Sequence, residues 1–217
     1  MYLADIENEA FDYKELYTIM PDTRQEKSDR FKFMADKKRS ILVWWLLVRA
    51  YGDLAGLDYK FLGENIDVTL TGKPCFKEDI EASVPGGLRF FNLAHSGSKV
   101  ICAVSSYEVG CDVEMKCCDG LKIAKRFFHE KEFEYLKSIR TKEQQDKEFL
   151  RLWTMKEAFV KATGEGIAMP FNEIAFVGSD NELLDKVERG GESCFFWECF
   201  AGEDYSCHVC IKITGVI

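Results

Sequence analysis

Four charged side chains fall into two short patterns that could do chemistry together. Asp112 and Glu114 stand two apart in the run Val109-Gly-Cys-Asp-Val-Glu-Met115. On a strand, alternation sends both carboxylates to one face and Cys111 and Val113 to the other. Two neighbouring carboxylates repel unless a cation or basic group compensates, and hard oxygen donors of this kind suit magnesium. An exposed acidic edge strand has the same spacing. The second pattern is Trp153-Thr-Met-Lys-Glu157-Ala-Phe-Val-Lys161. At helical spacing an aromatic ring, a carboxylate and an amine share one stripe. A surface ion pair is the ordinary reading of Glu157 and Lys161. Phe149, Leu152, Phe159 and Val160 flank the stripe and imply instead a helix packed into the protein, where an embedded pair has chemical use.

Two weaker signals accompany these. In Phe91-Asn-Leu-Ala-His95-Ser-Gly97, a strand runs into a turn that can present an imidazole and backbone N–H groups to an anion, or leave a solvated histidine. From Arg24 to Arg49 there are eight basic residues, including Lys27 and Arg39, against three acidic ones, a local charge of +5 in a chain of net −8. A basic segment in an acidic protein fits a small phosphorylated ligand or an acidic partner better than DNA, and equally describes a solvated helix face.

These residues need elements to hold them. The chain has 217 residues, 47% hydrophobic and 13% aromatic, enough to fill a core. The spacing of Phe31, Met34, Leu42, Trp45 and Val48 predicts one helix over 24–51. Ile66–Leu70, Leu88–Leu93, Lys99–Val104 and Val109–Met115 read as strands. Helical pieces follow at 123–128 and 131–139. Thr141 with Gln144 forms a capping box that opens a long helix ending near Thr163, before Gly164. Glu173–Val177, Ser193–Ala201 and Tyr205–Ile213 read as closing strands. The fold class is α+β in two comparable halves, 1–108 with the basic segment and the His-Ser-Gly turn, and 109–217 with the acidic motifs.

The longest apolar run, Ile41–Val48, is too short to cross a bilayer as a helix. The acidic amino terminus has no secretory pattern, so a cytoplasmic protein with reduced thiols, not bound to nucleic acid or membrane, is expected. Cys194, Cys199, Cys207 and Cys210 with His208 raise the alternative of a zinc-stabilised binding module. On a strand, however, Cys207 and Cys210 point to opposite faces.

The motifs TGKPCF (71–76), FNLAHSG (91–97), VGCDVE (109–114), AKRFFHEKEF (124–133) and LWTMKEAFVKATGEG (152–166) together resemble the 4′-phosphopantetheinyl transferases. Within them the chain is similar to the larger, pseudodimeric kind that activates peptide and polyketide synthetases. The resemblance implies two similar α+β halves related by a pseudo-twofold, each a helix on a small antiparallel sheet, with the active site at their junction in a monomer. It implies magnesium-dependent transfer of phosphopantetheine from coenzyme A to a serine of an apo acyl or peptidyl carrier protein, releasing adenosine 3′,5′-bisphosphate. Asp112, Glu114 and Glu157 match the family's magnesium ligands and Glu132 its general base. Lys161 matches the residue that stabilises the phosphates. Arg39, Lys73 and His95 match coenzyme A contacts, with Arg24 and Lys27 on the same basic segment. Ala94 departs from the serine common in relatives. The stretch 165–171 is the carrier-docking candidate by position. A catalytically silent carrier-binding relative is the alternative within the family.

Overall fold

The computed structural model describes residues 1–68, 73–81, 83–116, 119–166 and 170–215. It divides into two compact units, Met1–Tyr107 and Glu108–Ile217. Both mix helices with antiparallel sheet, so the fold is α+β.

The first unit runs β1 (Tyr2–Asp5), α1 (Tyr13–Thr18), α2 (Asp22–Asp29), α3 (Met34–Ala55), α4 (Tyr59–Asn65), β2 (Ile66–Val68), β3 (Pro74–Phe76), α5 (Glu78–Glu81), β4 (Phe90–Ser96) and β5 (Lys99–Ser105). The sheet order is β1-β5-β4, with β2 and β3 paired separately. The apolar stripe of α3 packs on β5 and buries Leu42, Leu46, Leu47 and Tyr51 with Val100 and Cys102. Rings of Tyr51, Phe76 and Phe91 meet edge to face at 5.2–6.0 Å, and the Tyr51 hydroxyl donates to the Leu88 carbonyl, so the ring is buried without an orphan polar group.

The single helix expected over 24–51 is two helices. Asp29 accepts hydrogen bonds from Lys37 Nζ at 2.6 Å and from the Tyr17 hydroxyl at 2.8 Å. Eight residues along one straight helix would put Asp29 and Lys37 about 12 Å apart, so the chain must fold back between them. Five elements of this unit, β1, α1, α4, β3 and α5, have no counterpart in the sequence-based expectation. The strand expected at Ile66–Leu70 is Ile66–Val68, and positions 69–70 lie outside the described residues, as do Thr71 and Gly72 of the TGKPCF motif.

The second unit runs β6 (Glu108–Met115), α6 (Gly120–Phe127), α7 (Glu130–Ser138), α8 (Lys142–Thr163), β7 (Lys186–Arg189), β8 (Glu192–Glu198) and β9 (Tyr205–Thr214), with sheet order β6-β9-β8-β7. Helix α8 packs on β6 and β9. Thr141 caps it by accepting from the Gln144 N–H, but the Gln144 side chain turns to Glu148, so the expected box is only half made. A complete box forms instead at α7, where His129 and Glu132 cap each other. Gly164, at φ +75°, ends α8 in a left-handed conformation that favours glycine.

The expected strand Glu173–Val177 does not form, and Val177 makes only an isolated bridge to Leu183. Side chains replace the ladder there. Lys156 Nζ donates to the carbonyls of Phe171 and Ile174 at 2.7 and 2.9 Å, and Glu132 Oε1 accepts the Phe176 N–H at 2.8 Å. Cys194, Cys199, Cys207 and Cys210 are reduced thiols. Among the described residues no single helix is long and apolar enough to cross a membrane.

Candidate active site

The second unit holds the acids. Strand β6 alternates as its sequence requires: Asp112 is paired across the sheet with His208 and Glu114 with Ser206, so the acids and these partners share the face that α8 covers. The helix lies very close. A Cβ built on Gly110 would come within 2.0 Å of the Ala158 carbonyl oxygen and 2.4 Å of the Ala162 nitrogen, so only glycine lets the two backbones meet. That approach carries Lys161 Nζ to 2.6 Å from Asp112 Oδ1 and 3.3 Å from the Cys111 carbonyl.

Asp112 is 4% exposed, and its Oδ2 has no hydrogen-bond partner among the described residues. Burial pushes its pKa up to about 7; Lys161 pulls the other way, and the charges of Glu114 and Glu157 add to the rise. Burial also raises Glu157, against the pull of Lys161 and with a further push from Glu114. Lys161 is half-buried, yet Asp112 outweighs its desolvation and holds it charged. Three carboxylates therefore feel one another, with one ammonium between them. As the side chains stand, no three Asp, Glu, His or Cys groups among the described residues form a chelate. The donor set is nonetheless that of a hard cation site, and the buried, unpartnered oxygen of Asp112 is costly until positive charge reaches it.

This burial has a measurable consequence without any cation. Between about pH 4 and about pH 7 folded Asp112 keeps a proton that the unfolded chain has lost, so its contribution to stability falls as pH rises through that window. Asp112→Asn should therefore gain stability relative to the parent from pH 5 to pH 8 in urea denaturation with EDTA present. Parallel curves would show that Asp112 ionises normally.

Beside Glu114 opens an apolar pocket of about 190 Å³, lined by Met115, Ile123, Phe149, Leu150 and Trp153. The Trp153 ring also meets Phe171 edge to face at 5.5 Å. Ile167 and Met169 of the carrier-docking candidate lie outside the described residues.

The first unit gathers basic groups. Arg24 and Lys27, one turn apart on α2, join Asp36, Ser40 and Val43 of α3, Phe31, and His95 of β4 around a pocket of about 130 Å³. His95 is an exposed strand residue opposite Val100. The Arg24 guanidinium lies over Trp44 at 5.0 Å. Arg39 adjoins the pocket by its ion pair with Asp36 and donates to the Gly97 carbonyl at 2.6 Å, tying α3 to the β4–β5 turn. Lys73, half-buried ahead of β3, is not among the lining residues.

Residues 108–210 match the family model described as the 4′-phosphopantetheinyl transferase superfamily. A 4′-phosphopantetheinyl transferase of Bacillus subtilis is 32% identical over 188 residues, covering 86% of this chain and 80% of the relative. The chain belongs to this superfamily. The 4′-phosphopantetheinyl transferase Sfp of Bacillus subtilis (strain 168) is 31% identical over 213 residues, covering 96% of this chain and 87% of the relative. That of Aneurinibacillus migulanus named gsp is 32% identical over 145 residues, 67% of this chain and 57% of the relative.

One expected catalytic group of this transferase is placed otherwise. Glu132 is 0% exposed. Its Oε2 accepts the His129 N–H at 3.0 Å and faces Lys156 Nζ at 2.9 Å, while Oε1 accepts Phe176 N–H. Lys156 is itself surrounded by the rings of Phe128, Phe171 and Phe176. A carboxylate so enclosed and fully bonded acts as a structural anchor, and the role of general base does not fit it in this arrangement. Sequence reasoning missed the pair because Glu132 and Lys156 lie 24 residues apart on different helices, and no local spacing brings them together. It also missed a buried contact of Thr154 with Ser206 and His208. The available signal was that Thr154 lies three residues before Glu157 and seven before Lys161, hence on their stripe.

Proposed function

We propose that this transferase moves the 4′-phosphopantetheine group of coenzyme A to a serine hydroxyl of an apo acyl or peptidyl carrier protein, with magnesium, releasing adenosine 3′,5′-bisphosphate. The observation that carries the reading is the buried Asp112, with one oxygen on Lys161 and the other unpartnered, facing the charges of Glu114 and Glu157. In the reaction the serine oxygen bonds to the β-phosphorus, the diphosphate P–O bond breaks and the serine proton is lost. The difficulty is charge repulsion and charge building on the leaving group.

Asp112, Glu114 and Glu157 would hold magnesium, which neutralises that charge when bound. Lys161 keeps its proton beside Asp112 and so carries a fixed positive charge toward the same phosphates. Arg24, Lys27 and His95 line a pocket of the size and charge for a phosphate group. Arg39 and Lys73 add positive charge for coenzyme A from elsewhere in the same unit. The apolar pocket beside Glu114 offers surface to the uncharged pantetheine arm. The chain is read as a cytoplasmic monomer, in keeping with a substrate and partner of that compartment.

Incubation with coenzyme A, magnesium and apo carrier protein should add one phosphopantetheine mass to the carrier. EDTA should suppress the gain and excess magnesium restore it. Mass spectrometry of a panel of acyl and peptidyl carriers reads the result directly. No gain on any of them with folded protein would sink the proposal.

A further inference from the structure

His208 is 3% exposed inside the second unit, where burial holds its pKa down to about 4, against the charge of Glu198, and so keeps the ring neutral. Its Nδ1 stands 2.7 Å from Thr154 Oγ1, and Ser206 Oγ stands 2.9 Å from the same atom. Thr154 Oγ1 also lies 3.0 Å from the Leu150 carbonyl and 3.1 Å from that of Arg151. A hydroxyl has one proton and two lone pairs. All four contacts are met together only if the carbonyls take that proton and both Ser206 and His208 Nδ1 donate. The threonine oxygen is then saturated and fixed in direction.

Each of these three residues neighbours one of the three acids. Ser206 is the cross-strand partner of Glu114, and His208 that of Asp112. Thr154 lies almost one turn before Glu157 on the same stripe of α8. Further along that helix, Gly110 admits Ala158 and Ala162 against β6. The helix is thus fastened on both sides of Glu157, by a polar contact at Thr154 and by a steric fit at Ala158.

We propose that Thr154, Ser206 and His208 are positioning residues that set the rotation of α8 on β6 and β9, so that Glu157 stands where it can share a divalent cation with Asp112 and Glu114. None of the three touches the cation or a substrate. The inference rests on the reading of those acids as cation ligands, and its test separates the two.

The test is calorimetric titration of manganese(II), as a probe for magnesium, into the full chain and its variants, with steady-state kinetics in parallel. Thr154→Val keeps the shape and removes the hydroxyl. It should weaken manganese binding by about 10-fold to 100-fold, as loss of a partner behind metal ligands does. Turnover at limiting magnesium should fall in step with that loss, and excess magnesium should recover it. Thr154→Ser should restore both. Should Thr154→Val not fold, Ser206→Ala removes one donor only and should show a smaller loss in the same direction. A stable Thr154→Val or Ser206→Ala protein with parental manganese affinity would overturn the positioning role while leaving the cation site intact. Absence of manganese binding to the parent chain would overturn the cation reading itself, and the positioning role with it.

Discussion

Glu157→Gln is expected to lower phosphopantetheine transfer by about a thousandfold, close to 4 kcal/mol in the barrier, the scale of losing one ligand of a charge-neutralising cation. The melting temperature should stay within about 3 °C of the parent. The two effects part because of how Glu157 sits. It is half-buried, its charge is disfavoured by burial, and Glu114 pushes in the same direction while only Lys161 opposes. A neutral amide of the same shape removes that repulsion, so folding loses little. What is lost is a carboxylate that a divalent ion requires. Initial rates with a carrier that the parent modifies, together with a thermal melt, check both parts. Parental turnover in the variant would take Glu157 out of the site.

Lys156→Met should cost about 3–5 kcal/mol of folding free energy, the range for breaking a buried ion pair from one side. Glu132 would then be left 0% exposed with no counter-charge, and the carbonyls of Phe171 and Ile174 would lose their donor. The double variant Lys156→Met/Glu132→Gln should recover part of the loss, because a neutral amide is cheaper to bury than an unpaired carboxylate. The recovery should be incomplete, since Glu132 uses both oxygens as acceptors for the N–H groups of His129 and Phe176, and glutamine has one. Urea denaturation at neutral pH measures all three proteins. A loss under about 1 kcal/mol in the single variant would show that the pair does not hold the 170–176 segment in place.

Much of the second unit could be read without coordinates, because local chemistry decides it. The alternation in Val109–Met115 specifies a strand with Asp112 and Glu114 on one side, whatever lies around it. The stripe of α8 and its glycine stop follow from helical periodicity and from the left-handed turn at Gly164. The errors fall where distant groups intervene. Nothing in Arg30-Phe-Lys-Phe33 breaks a helix by propensity; the break is settled by Asp29 finding Lys37 and Tyr17. Glu173–Val177 has strand composition, but Lys156 and Glu132 satisfy its backbone before another strand does.

The candidate site divides the same way. Residue type and spacing alone determined that two carboxylates share a strand face, that a third shares a helix stripe with a lysine, and that a basic segment precedes them. Periodicity is a property of the chain itself, so those facts needed no fold. Only the tertiary structure decided that Lys161 reaches Asp112, that Glu132 is locked to Lys156, and that Thr154 meets Ser206 and His208. These pairs are separated by 24 to 54 residues. Contact over such distances is set by how closely a helix and a sheet can approach, and here a glycine without a side chain sets that limit.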